Sequence, residues 1–432
     1  MEPNDKVPER NYRDAVHNII RINTSTPDGA LAAELIDTPE FQRLRRIRQL
    51  GLAFFAYQSA EHSRFTHSLG AFHIATRLLD RLGAKYKIAD EDRIAVRIAA
   101  LLHDIGHGPF SHVMESILGF HHEDFTIAAI SNPASKIAGV LTDFSPDLAP
   151  AIVDIISGNF HCKSLGQLVS SQLDADRMDY LLRDSIMTGV KYGIYDLEWI
   201  IRSLEIDEEG DRLFVSSRGL YAVEDYLQAR YYMFRQVYFH RTLRAAECVL
   251  RSLIQRAIDL VRNGEQVFRA EDTALDSVIA GRPLTFAEHF SLDDSDVLFH
   301  IKQWRKSSDP ILADLSARFI ERRLFKILDL DMPEESRPEF IENARRAVLD
   351  AGFDADYYFA EDTAADEPYF FYSSREAAPR DHIFVESGFS SPSLREISQI
   401  SPAVRGLQKG HRIHRVSFPE EARDAILAHY RH

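Results

Sequence analysis

The chain has 432 residues, 45% of them apolar and 27% charged, with a net charge of −15 and a pI of about 5.6. That length and apolar content provide for a sizeable core, in two or three domains or in one large helical domain with an appendage. The acidic balance argues against a general nucleic-acid or anionic-membrane binder, because the long-range field repels polyanions, but it leaves room for a small anionic ligand in a locally basic pocket.

Residues 1–35 read as an irregular N-terminal segment with a short hairpin, since "HNIIRINTSTPDGAL" has a turn-rich centre. "DTPEFQRLRRIRQLG" predicts a helix. Asp37, Thr38 and Pro39 supply its cap and first turn, and Gly51 stops it. Phe41, Leu44, Ile47 and Leu50 recur at helical spacing as its inner stripe, which puts Arg43, Arg45, Arg46 and Arg48 on a solvated face. "THSLGAFHIATRLLDRLGA" predicts a second helix. "DEDRIAVRIAALLHDIGHG" predicts a third, broken by Gly106 and Gly108 just past His103 and Asp104.

Helical patterns continue through "DLAPAIVDIISG", "SLGQLVSSQLDADRMDYLLRDSIMTG" and "DLEWIIRSLEI", followed by a strand pair in "EGDRLFVSSRG" and one long helical run from Ala222 to Gly264. More helices follow to about 330. Beyond 335, short alternating pieces such as "HIFVES" and "RIHRVSFPEE" suggest strands. The organisation expected is therefore mainly α: an N-terminal segment (1–35), a helical domain (36–335) and a small α+β C-terminal region (336–432).

Cys162 and Cys248 cannot make a disulfide framework. "MEPNDKVPERNYRD" has no apolar core of a signal peptide, and no window approaches 18 apolar residues. The cytoplasm is the expected location, with no membrane association.

The stretch "AALLHDIGHGPFSH" places His103, His107, His112 and Asp104 directly behind an apolar run. Either each polar group has its own buried partner, or together they help to hold a metal. Unpaired burial of a carboxylate is costly, so the first reading needs a separate partner for each. Imidazole nitrogen and carboxylate oxygen suit a divalent metal, and His67, His103, Asp104 and Asp176 all fall on or at the ends of predicted helices, where a site between facing helices would draw its ligands.

The order His, His-Asp, Asp, with its flanks, resembles the HD superfamily of metal-dependent phosphohydrolases. "IDTPEFQRLRRIRQLG", "HSRFTHSLG", "LLHDIGHGPFSH", "HHED", "DADRMDYLLRDS" and "YYMFRQVYFHR" look like its deoxynucleoside triphosphate triphosphohydrolase branch, which includes dGTPases, over roughly 10–330. The resemblance implies an HD-domain helical bundle. It also implies one divalent ion (Mn, Mg, Fe, Ni, Co or Zn) on His67, His103, Asp104 and Asp176. The implied reaction cleaves dNTPs to deoxynucleoside and tripolyphosphate.

By the same resemblance, His107 and His122 match catalytic histidines and Glu115 a carboxylate that orients one of them, with His112 beside them. His121 is the alternative to His122. Arg64, Arg177 and Arg230 match phosphate-binding positions, with Arg177 where relatives often have lysine. Tyr180 and Asp184 match contacts to sugar and 3′-hydroxyl, and Gln49 and Leu50 lie beside the sugar. Tyr238 matches an aromatic residue whose crowding excludes a 2′-hydroxyl. Asp37, Gln42 and Arg45 match positions that read an activating GTP or dNTP between subunits of a homo-oligomer, a dimer or tetramer. The preceding "DAVHN" departs from the "DPIHG" of relatives, and Phe234 stands where some have histidine. The alternatives are HD chemistry on another nucleotide, including phosphodiesterase action, and a non-hydrolytic nucleotide sensor or nucleic-acid-binding protein.

Overall fold

The computed structural model describes residues 8–209, 211–268, 274–366, 382–388, 393–407 and 411–430. The chain is mostly helical, with small sheets at its edges. It opens with an antiparallel hairpin, β1 (Glu9–Asp14) and β2 (Asn18–Asn23), whose turn is Ala15–His17. The turn-rich stretch after it is not irregular. Thr26 accepts the Gly29 amide, Pro27 takes the first helical position and Asp28 the first turn, so helix α1 (Pro27–Ile36) begins there.

The helix expected over 37–51 is cut short. Helix α2 (Pro39–Arg43) and one 3-10 turn (Leu44–Arg46) follow the Thr38 cap. The chain then straightens, because Ile47 and Gln49 pair with the 62–64 segment: Arg64 N–H donates to the Ile47 carbonyl at 3.0 Å and Gln49 N–H to the His62 carbonyl at 3.0 Å. This pairing carries Gln49 and Leu50 to the cavity described below. Of the arginines, Arg45 and Arg46 are exposed as expected, but the face is not simply solvated. Arg43 is buried, donating to the Leu292 carbonyl at 2.7 Å, while Arg46 and Arg48 pair with Asp293 and Asp294.

The central unit is helix α3 (Arg64–Gly83), packed between α4 (Asp90–Leu102) and α10 (Ala175–Thr188). Acidic residues Asp90, Glu91 and Asp92 occupy the first turn of α4, where they complement the helix dipole, and Val96, Ile98, Ala99, Leu101 and Leu102 are buried. Asp174 caps α10 by accepting the Arg177 amide, and Gly189, with φ of 78°, ends it. In the chain, α4 is followed before α10 by α5 (His112–Leu118), α6 (His122–Ser131), α7 (Lys136–Phe144), α8 (Leu148–Ser157) and α9 (Lys163–Gly166).

After α11 (Leu197–Ser203), strands β3 (Leu204–Asp207) and β4 (Arg212–Val215) pair antiparallel. The long helical run that follows is interrupted. Helix α12 (Leu220–Met233) passes into a π-helical turn at Phe234–Tyr238, and α13 (Arg241–Arg262) starts afresh on a His240 cap. Then come α14 (Ala274–Ile279), α15 (Phe286–Ser291), α16 (Asp294–Trp304), α17 (Pro310–Ile320) and strand β5 (Lys326–Asp329).

Among the described residues, the strands beyond 335 do not make a sheet of their own. β7 (Phe384–Ser387) and β8 (Ser393–Glu396) extend the β3–β4 hairpin, and β5 joins β9 (His411–Phe418) and β6 (Ala360–Asp366). Among the described residues two large apolar cores result, beside a small cluster of Ala53, Ala60 and Leu243. The first is built on the helices around α3 and takes in Ile383, Val385, Ile397 and Val404; the second is built on α13, α16, α17 and residues 340–359 and 416–426, so both cross the line at 335. Among the described residues, no helix is long and apolar enough to cross a membrane.

Candidate functional site

His67 sits in the first turn of α3, His103 immediately after α4, Asp104 next to it, and Asp176 at the second position of α10. Packing of the three helices draws them together. His67 Nε2 lies 3.2 Å from His103 Nε2, 3.1 Å from Asp176 Oδ1 and 3.6 Å from Asp104 Oδ2. His103 Nε2 lies 3.4 Å from Asp104 Oδ1 and 3.5 Å from Asp176 Oδ1.

What stands behind each ring decides what its free nitrogen can do. His67 Nδ1–H donates to Asp179 Oδ2 at 2.8 Å, and His103 Nδ1–H donates to the Ala100 carbonyl at 2.9 Å. Both partners only accept, so in the neutral rings both Nε2 atoms carry lone pairs, and these face one another and two carboxylates. Burial opposes charge on His67, but hydrogen bonds to Asp176 and Asp179 raise its imidazole to about 10. The cluster therefore calls for positive charge at its centre, and the donor set fits a divalent cation. Asp104 gives part of its charge to Arg64, which bonds its Oδ2.

Asp179 was not among the residues singled out from the sequence. It accepts from His67, from His17 Nε2 at 2.7 Å and from Arg183 at 2.8 and 2.9 Å, and Arg183 also reaches Asp14. The carboxylate comes this close to α3 because residue 70 is glycine: a Cβ there would stand 1.8 Å from Asp179 Oδ1.

A second group lies beside the first. His112 Nδ1 is 2.9 Å from Glu115 Oε2, and His122 Nδ1 is 3.0 and 3.1 Å from the two Glu115 oxygens. Burial pushes Glu115 up, but these bonds hold it well below the usual carboxylate range. His107 stacks on His122 with centroids 3.8 Å apart, and its Nε2 is 3.3 Å from Asp104 Oδ1. Burial and the Arg64 charge press the His107 imidazole well below its ordinary value, so it is neutral. The stack depends on Gly106, where a Cβ would meet the His122 carbonyl at 2.1 Å. His121 is exposed, with its Nδ1 3.9 Å from Glu115 Oε1, farther than the His122 nitrogen.

Both groups open into one cavity of about 540 Å³. Its walls include Gln49, Leu50, Arg64, His103, Asp104, His107, His112, His122, Asp176, Arg177, Tyr180, Asp184 and Tyr238. His67 and Glu115 stand behind the wall, each supporting residues on it. Arg230 is also off the wall, because its guanidinium turns to Gln172 in the buried layer behind. The sequence offered no sign that Phe110, Ser111, Asp174 and Glu247 would join the lining.

Arg177 is paired with Asp174 and stays charged. The π-helical turn aims the Tyr238 hydroxyl at Asp184 Oδ2, 2.8 Å away, while Asp184 Oδ1 is 2.7 Å from His62 Nε2. Burial pushes the Tyr180 phenol up to about 12, and burial with the Asp184 charge pushes Tyr238 up as well, so both are neutral. Asp37, Gln42 and Arg45 lie elsewhere, at the surface: Asp37 pairs with Arg10 at 2.6 Å, and Gln42 accepts from Arg45 at 2.8 Å.

Comparison with known proteins gives this arrangement a family. The HD domain matches residues 64–184 and the HD associated region residues 195–280. The uncharacterized protein YwfO of Bacillus subtilis is 37% identical over 424 residues, 97% of this chain and 94% of that one. The deoxynucleoside triphosphate triphosphohydrolase SAMHD1 of Homo sapiens is 27% identical over 431 residues, 86% of this chain and 64% of the human protein. A crystal structure of a phosphohydrolase from Bacteroides thetaiotaomicron superimposes with a TM-score of 0.81 at 30% identity, covering 96% of this chain and 100% of the other. The chain belongs to the HD-domain phosphohydrolase family, on its dNTPase-like branch, with the HD-associated region behind the HD domain.

Proposed function

We propose that this protein hydrolyses deoxynucleoside triphosphates to deoxynucleoside and tripolyphosphate with the help of one divalent cation. The observation that carries this reading is a single cavity with a cluster able to hold a cation, two charged arginines, imidazoles on a shared carboxylate and a tyrosine–aspartate pair on its walls. His67, His103, Asp104 and Asp176 would hold the cation, which supplies positive charge against phosphate oxygens. Arg64 and Arg177 add charge toward a substrate that carries about four negative charges.

In the reaction, water adds at the α-phosphorus, the bond to the 5′ oxygen breaks, and that oxygen leaves with a proton. Glu115 keeps His112 and His122 oriented to move protons, while His107 packs against His122 as a neutral ring. Tyr238 and Tyr180 enclose the sugar, and the fixed Tyr238 ring crowds a 2′-hydroxyl. Asp184 accepts from the 3′-hydroxyl in this reading. An activating GTP or dNTP at Asp37, Gln42 and Arg45, in a homo-oligomer, belongs to the same reading.

The test is product analysis with each dNTP and Mg²⁺ or Mn²⁺, with and without added GTP or dATP. Deoxynucleoside plus tripolyphosphate is expected. Monophosphate plus pyrophosphate would mean that a different bond is cut, and tight binding without turnover would make the protein a sensor.

A further inference from the structure

The loop that joins the two clusters turns through backbone angles that side chains rarely adopt. Phe110 and Ser111 have φ of 51° and 56°, both in the left-handed region, and neither is glycine. Such a corner persists only where its surroundings hold it. Phe110 N–H donates to Asp294 Oδ1 at 2.7 Å. The other oxygen, Asp294 Oδ2, accepts from Arg48 N–H at 3.1 Å and Arg48 Nη1 at 3.2 Å. Ser111 Oγ donates to the Arg48 carbonyl at 2.8 Å and accepts from Arg64 Nε at 2.7 Å. Asp294 thus grips both the corner and the arginine segment to which Ser111 is tied. It is buried in the first turn of α16, outside the matched HD segments, and does not line the cavity. Phe110, Ser111 and His112, immediately downstream of the grip, do line it.

We propose that Asp294 is a positioning residue for the hydrolysis. From behind the cavity wall it holds the Phe110–Ser111 corner in its left-handed shape and so sets where Ser111 and His112 stand beside the cation cluster. The kinetic part rests on the function proposed above; the structural part does not.

The experiment uses the full chain loaded with Mn²⁺. Asp294→Ala is expected to lower kcat on the best dNTP by about 10- to 100-fold, with KM and bound Mn²⁺ essentially unchanged, since a small misplacement of reacting groups has effects of that order. Amide exchange over 108–113 should quicken in that variant while α3 and α4 exchange as before. Asp294→Asn keeps a carbonyl acceptor for the Phe110 amide and should give intermediate kcat and exchange. If Asp294→Ala does not fold, Asp294→Asn decides: intermediate values support the proposal and wild-type values overturn it. Unchanged kcat in Asp294→Ala, equal losses in both variants, or loss of Mn²⁺ in step with activity would also overturn it. A wild-type protein that hydrolyses no dNTP sinks the proposed function instead, and exchange at 108–113 then still tells whether Asp294 holds the corner.

Discussion

His67 and His103 differ from His112 and His122 in what stands behind each ring. In the first pair each Nδ1 has its own acceptor, a buried carboxylate or a helix carbonyl, and each Nε2 is aimed inward with no freedom to swing. In the second pair one carboxylate, Glu115, serves both rings, and His112 is largely exposed. Separate anchors suit ligands that must hold a fixed geometry around an ion. A shared anchor suits groups that exchange protons, because a charge gained on one ring is felt at once by the other through the same carboxylate. His107 belongs to neither arrangement: it touches Asp104 on one side and His122 on the other.

The sharpest way to break this comparison is to remove one residue from each side. His103→Ala is expected to abolish bound metal and lower dNTP turnover by about 1,000-fold or more, since a catalytic cation contributes several kcal/mol. Metal analysis beside a product assay reads both. His122→Ala should lower turnover by about 100- to 10,000-fold, in the range of lost acid–base catalysis, while metal content stays at the wild-type level. If metal were lost there too, the two clusters would be one.

The anchors themselves come next. Asp179→Asn removes the charge behind His67, and metal affinity should fall by about 10- to 100-fold in a competition titration with a chelator. The smallest effect concerns the backbone between the clusters. His289 Nε2–H donates to the Gly106 carbonyl at 2.8 Å and its ring stacks on Phe125. Burial, helped by the Arg43 charge, lowers the His289 imidazole from 6.5 to about 3. The unfolded chain therefore binds this proton before the folded one does. Its contribution is complete above pH 6.5 and is lost as pH falls toward 3. Denaturant titrations at pH 7 and pH 5 should show about 2 kcal/mol less stability at pH 5 from this group. That difference should be missing in His289→Gln, which keeps the bond to Gly106.

Much of this site could be read from the residues themselves. The apolar run ending in His103 and Asp104, broken by Gly106, does form a helix that stops there. His67 and Asp176 do meet those two across the helix interfaces. Supporting residues were harder to see, for a physical reason. Asp179 matters only because Gly70 admits it and because a hairpin some 160 residues earlier brings His17 to it. Arg43 looks like part of a wet face within its own window, and only the segment from Leu292 to Asp294, some 250 residues on, buries it and pairs Arg46 and Arg48. The break between α12 and α13 was equally hidden. Helical periodicity runs straight through Phe234–Tyr238, although a π turn there is what points Tyr238 at Asp184. The line at 335 followed a change of local texture, whereas strand pairing is decided by partners far away in the chain.

Asp179 serves three clients at once: the His67 imidazole, the turn of the N-terminal hairpin through His17, and Arg183 on its own helix. A residue shared in this way cannot drift for the benefit of one neighbour. A lineage that retunes its ion preference through this carboxylate has to alter hairpin, helix and imidazole in concert, and positions 14, 17, 179 and 183 should therefore vary together or not at all.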